Sequence, residues 1–195
     1  MVSRRLSILG GLSILISLCI SPGVEALTII AFQSTETGTY LFTPTSTTTN
    51  HAAAAGTGTG TLGAFQSSGS QDSDFTDPLH QIVSNGHFIQ DYGSGTTLFG
   101  TFAGTATATS ATGGTFTLAV PFIGGSGALS DVIGGSGTAT GTFQFLSANP
   151  DQSENFTYAL SLVGSVDVVP EPRSLALLIS GLVVAAFFRR IRAWE

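Results

Sequence analysis

The most regular signal along the chain is a period-two alternation of apolar and small polar residues. Phe116, Leu118, Val120 and Phe122 alternate with Thr115, Thr117, Ala119 and Pro121. Phe156, Tyr158, Leu160 and Leu162 alternate with Thr157, Ala159 and Ser161, and Phe143 and Phe145 flank Gln144. Successive side chains of a strand point to opposite faces, so each apolar set lies on one face of a strand. Threonine and aromatics suit a pleated, half-buried surface, and the Gly, Asn and Asp clusters between the runs suit turns. No long stretch of the body has helical apolar spacing. The pattern predicts strands near 27–33, 38–43, 56–66, 86–92, 96–108, 114–122, 137–146 and 155–163. It predicts surface loops at 67–78 and 148–154, and a low-complexity Ser/Thr run at 43–50, mobile or modified. Short strands with one apolar face close into a barrel or pair as a sandwich. The expected fold is therefore all-β, an antiparallel barrel of about eight strands, with a β-sandwich as the alternative.

Within this body Ile123-Gly124-Gly125-Ser126-Gly127 recurs as Ile133-Gly134-Gly135-Ser136-Gly137. Neither copy is followed by lysine or by a helical pattern, so neither reads as a phosphate cradle; both read as turns or bulges. The copies sit in a longer series. Phe99-Gly100-Thr101-Phe102-Ala103-Gly104-Thr105-Ala106-Thr107 leads to Gly114-Thr115-Phe116-Thr117-Leu118, and the second copy runs into Thr138-Ala139-Thr140-Gly141-Thr142-Phe143. The series, over about 86–145, resembles the strand–Gly-Gly-x-Gly–strand pattern of allene oxide cyclase/dirigent-like barrels. The resemblance implies an eight-stranded antiparallel barrel. The second Gly-Gly-Ser-Gly copy departs from the usual single motif, and no catalytic residue is carried over.

The two ends have a different character. Arg4 and Arg5 precede an apolar run at 6–20, then the helix-breaking Ser21-Pro22-Gly23 and Val24-Glu25-Ala26. A basic start, a short apolar middle and small residues before a cut make a secretory signal peptide over 1–26, cleaved between Ala26 and Leu27; the alternative is an uncleaved anchor. At the other end Pro170-Glu171-Pro172-Arg173 precedes an uncharged, mostly apolar run at 174–188, then Arg189, Arg190 and Arg192. A helix over that run reaches about 22 Å, short of the ~30 Å hydrocarbon core. It enters a bilayer only with thinning or help from its flanks, and its arginines stay cytoplasmic. Both basic ends then lie inside and the body at 27–168 lies outside.

This tail, 169–195, resembles the PEP-CTERM sorting signal of Gram-negative bacteria: a Pro-Glu-Pro, a short transmembrane helix and a basic cluster, in that order. The resemblance implies that an exosortase, a membrane-embedded cysteine transpeptidase-like enzyme, cuts near Pro170, Glu171 and Pro172. The body then passes to the cell surface or an extracellular polysaccharide matrix. Trp194 and Glu195 extend past the basic cluster, and an ordinary single-span anchor is the alternative.

Charge narrows the body's chemistry. All six basic residues lie in the two ends, and none falls between Arg5 and Arg173. Nucleic-acid binding draws its affinity from Lys and Arg, so nucleic acid is excluded as a partner. A P-loop and a Schiff-base lysine are excluded likewise. The single cysteine, Cys19, lies in the first apolar run, which leaves the body without disulfides or a thiol nucleophile.

Candidate chemistry is sparse. Asp72, Asp74 and Asp77 cluster in one segment and are calcium candidates, with a solvated acidic loop as the alternative; an EF-hand's glycine and later glutamate are missing. His80 and His87, seven apart, should face opposite sides of a strand and make a poor zinc pair. No Gly-x-Ser-x-Gly elbow supports a serine triad. Asn155-Phe156-Thr157 fits a glycosylation sequon, a coincidence in a bacterial strand. No cofactor is expected. The expectation is a non-enzymatic exported β-domain, structural or adhesive. One alternative is a barrel binding a small molecule or glycan in a pocket lined by some of Phe88, Tyr92, Phe116 and Phe143. Another is a secreted hydrolase using Asp72, Asp74 or His80, which requires those side chains to converge in one cleft.

Overall fold

Alternation is carried into structure along nearly the whole body. A computed structural model describes residues 27–169, and the expected signal peptide and sorting tail lie outside the described residues. Eight strands follow one another: β1 (Thr28–Pro44), β2 (Thr49–Gly60), β3 (Gly63–Asp74), β4 (His80–Asp91), β5 (Thr97–Ser110), β6 (Gly113–Ser126), β7 (Val132–Ala148) and β8 (Glu154–Val168). Each pairs antiparallel with the next, and β1 pairs with β8 to close the barrel. Closure leaves no unpaired sheet edge and settles barrel against sandwich.

The register places like residues together. Outward positions form rows of hydroxyls: Thr59, Thr35, Ser161, Thr140, Thr117 and Thr105 are successive cross-strand partners. One step further along lie Thr57, Thr37, Ala159, Thr142, Thr115 and Thr107. Inward positions carry the apolar set. Thr28 pairs with Val168, so the chain enters and leaves the barrel at one end, here called the terminal end. A core packs toward that end: Phe32, Leu98, Phe122, Val132 and Val166 are buried, and the Phe32 and Phe122 rings meet edge to face with centroids 5.3 Å apart.

Several boundaries differ from the expected ones. The stretches 27–33 and 38–43 are one strand, because Gly38 points inward and keeps the pairing while making room for the Tyr158 hydroxyl. The expected strand at 56–66 spans the β2–β3 turn, where Gly63 takes φ 109°. The expected loop at 67–78 is mostly β3, paired on both sides as far as Asp74 apart from a bulge toward β4 at Gln71. Its polarity misled because Ser67, Gln71 and Ser73 line the barrel's interior. The loop at 148–154 is present between β7 and β8. Of the two Gly-Gly-Ser-Gly copies, the first leads into a short 3-10 turn, Gly127–Leu129, with Gly127 at φ 60°. The second lies in β7 beside a register shift between Val132 and Gly134.

Candidate functional site

The interior is not filled. Eight-stranded barrels are just wide enough to be packed by side chains or to hold one small ligand, and the inward residue sizes decide which. β2 offers only Ala52, Ala54 and glycines to the inside, and Ala106 of β5 and Ala139 of β7 are also small. Beside them stand Tyr40, which pairs with Ala54, Phe116, which pairs with Ala106, and Phe88, Phe102 and Phe143. Where the small residues leave space there is a cavity of about 130 Å³, running from mid-barrel toward the end opposite the terminal end. Phe102, Phe116, Phe143 and Leu160 face inward yet are only half-buried, as side chains bordering unfilled space must be.

The wall has one charged group. Glu36 of β1 is 8% exposed and borders the cavity. Its Oε1 accepts hydrogen bonds from the Tyr158 hydroxyl of β8 and from Ser67 Oγ of β3, the latter at 2.5 Å. The Glu36 Oε2 has no hydrogen-bond partner among the described residues. Gly56 of β2 makes this cluster possible: a Cβ there would lie 2.5 Å from the Tyr158 hydroxyl and 2.9 Å from Glu36 Oε1. Burial, then the hydrogen bond to Glu36 and its charge, push the Tyr158 hydroxyl well above its ordinary pKa. Tyr92 is raised by burial and then by the charge of Glu36, and Tyr40 by burial. All three phenols therefore stay protonated donors. Gln90, 2% exposed, accepts from the Tyr92 hydroxyl at 2.9 Å.

Of the four aromatics expected around a pocket, Phe88, Phe116 and Phe143 line the cavity. Tyr92 instead packs toward the terminal end against Phe65, with ring centroids 5.5 Å apart. Glu36 was legible and missed: it shares parity with Phe32, Tyr40 and Phe42, which puts it on the apolar face of β1.

The other candidates lie elsewhere. Asp72 accepts from Asn85 Nδ2 at 2.9 Å and contacts His51 Nδ1 at 2.8 Å, bonds that lower its pKa in that order. Asp74 is lowered by the Thr76 hydroxyl and N–H. Asp77 accepts from Leu79 N–H and contacts His80. The three aspartates thus serve separate local turns and cross-strand contacts, and among the described residues no group of three acidic, His or Cys side chains is placed to share a metal ion. Asp72, Asp74 and His80 do not converge on the cavity. His80 and His87 both face outward, contrary to the spacing rule. A bulge between Val83 and Gly86, with Asn85 at φ 51°, inserts the residue that flips the parity. Leu27 is half-exposed at the start of the described chain, whereas Ala26, Pro170, Glu171, Pro172, Arg189, Arg190 and Arg192 lie outside the described residues.

No protein-family model matches the chain, and no curated protein does. Among solved structures it is similar to two pterocarpan synthase dirigent proteins. PsPTS1 is 16% identical with a TM-score of 0.29, over 71% of this chain and 96% of that one. GePTS1 is 13% identical with a TM-score of 0.33, over 74% of this chain and 96% of that one. The barrel assignment rests on the strand order itself.

Proposed function

We propose that this chain is an exported, non-enzymatic binding protein whose barrel holds one small, largely apolar molecule in its interior. The observation that carries this reading is the cavity. Aromatic side chains interspersed with alanines and glycines leave about 130 Å³ unfilled, in a fold whose interior is otherwise closed by packed side chains. Export and sorting rest on the sequence of the two ends. The outer hydroxyl rows, free of basic charge, suit a surface delivered into hydrated polysaccharide.

The test is calorimetric titration of the purified chain with a neutral aryl alcohol, 4-phenyl-1-butanol, beside the variant Ala106→Phe. Ala106 borders the cavity, and a phenyl ring in its place occupies that space. Saturable binding of one molecule per barrel is expected, lost in Ala106→Phe while the circular dichroism spectrum is kept. Equal binding by the filled variant, or no binding by the natural chain of this alcohol and of its amine and carboxylate analogues alike, would sink the proposal.

A further inference from the structure

The cavity wall is electrically one-sided. Among the described residues, Glu36 is its only carboxylate, and no Lys, Arg or His lines it. The imbalance extends to the whole barrel, since every Lys or Arg position of the chain lies before residue 6 or after residue 172. The three histidines, His51, His80 and His87, are on exposed outward positions. A carboxylate removed from water is costly unless a cation pairs with it, and proteins almost always supply one. Here the described residues supply two hydroxyl donors, both to Oε1, and no cation.

We propose that the cavity selects a small protonated amine with an apolar body, its ammonium seated on Glu36 and its body against the aromatic wall. The inference rests on the binding reading above and adds the ligand's charge. Oε2 offers the acceptor that an ammonium needs, and charge-assisted hydrogen bonds of this kind are the strong ones. Tyr40 and Tyr158, which also border the cavity, add aromatic surface near the carboxylate. The Ser67 hydroxyl, already against the carboxylate, provides a neutral acceptor for a further ammonium proton. An anionic ligand meets the reverse situation: a buried like charge and no counter-ion.

The experiment compares three probes of one shape with the full chain: 4-phenylbutylamine, 4-phenyl-1-butanol and 4-phenylbutanoate. Calorimetry at neutral pH is run on the natural chain and on Glu36→Gln, which keeps an oxygen acceptor for Tyr158 and Ser67. The expected result is an amine at least about tenfold tighter than the alcohol, a carboxylate weaker than both, and an amine-to-alcohol ratio falling to about one in Glu36→Gln. Equal affinities for amine and alcohol in the natural chain overturn the charge inference and leave the binding reading standing, as does an amine preference that survives Glu36→Gln. Failure of all three probes overturns both. If Glu36→Gln does not fold, the three-probe ranking in the natural chain decides, with Ala106→Phe locating the binding.

Discussion

Single side chains set the pH range in which the barrel holds. Asp72, Asp74, Asp77 and Asp151 have pKa values below the ordinary 3.8, through the Asn85 amide, the Thr76 hydroxyl, the Leu79 N–H and the Ser153 hydroxyl respectively. Unfolded, these groups take up protons first as pH falls, so the stability they contribute is complete above 3.8 and is lost below it. Tyr40, Tyr92 and Tyr158 shift the other way, raised above the ordinary 10 chiefly by burial. The unfolded chain gives up these phenolic protons first, so their contribution is full below pH 10 and declines above it. Thermal melts across pH should therefore show a plateau, a modest fall below about 4 because the aspartates are solvent-accessible, and a steeper fall past about 10. A melting temperature that rises between pH 10 and 11 would contradict the tyrosine assignment. Parity made part of this legible. Glu36 and Tyr158 both fall on the inward phase of their runs. Nothing in their sequence spacing, 122 residues apart, announced that closure of β1 on β8 would join them.

Strands were legible where their inner face was apolar, as in β6 and β8, and illegible where it was not. β3 shows an inner face of Phe65, Ser67, Gly69, Gln71 and Ser73, so period-two reasoning found no apolar partner set after Phe65. The cavity itself erased the signal, because a strand bordering unfilled space has fewer large side chains to show. β4 was obscured differently. Its bulge breaks the alternation at Ser84 and Asn85, and the φ of 51° at Asn85 is a conformation asparagine tolerates and β-branched residues resist. Asn85 also ties β4 to β3 through Asp72. Two substitutions separate these roles. Asn85→Gly keeps the conformation and loses the hydrogen bond, costing about 0.5–1.5 kcal/mol, whereas Asn85→Val adds backbone strain for a total of about 2–4 kcal/mol. Urea unfolding midpoints measure both, and equal losses would remove the strain account.

At the scale of the whole molecule, closure rests on eight strands that each turn back on the last, with β8 returning to pair with β1. The flanking addresses carry their own prediction. Mature protein recovered from cells with the extracellular polysaccharide should have an intact mass lacking residues 1–26 and ending near Pro170. A mass that retains 174–195 in that fraction would rule out sorting by cleavage. The pairing of Thr28 with Val168 has a mechanical consequence as well. Pulling the two ends apart loads the β1–β8 ladder at its first rung, across the strands and along its hydrogen bonds. Such a seam peels one bond at a time instead of resisting as a sheared block. A barrel tethered by one end alone never feels that load, whereas one held at both ends would be opened like a zipper by whatever separates its anchors.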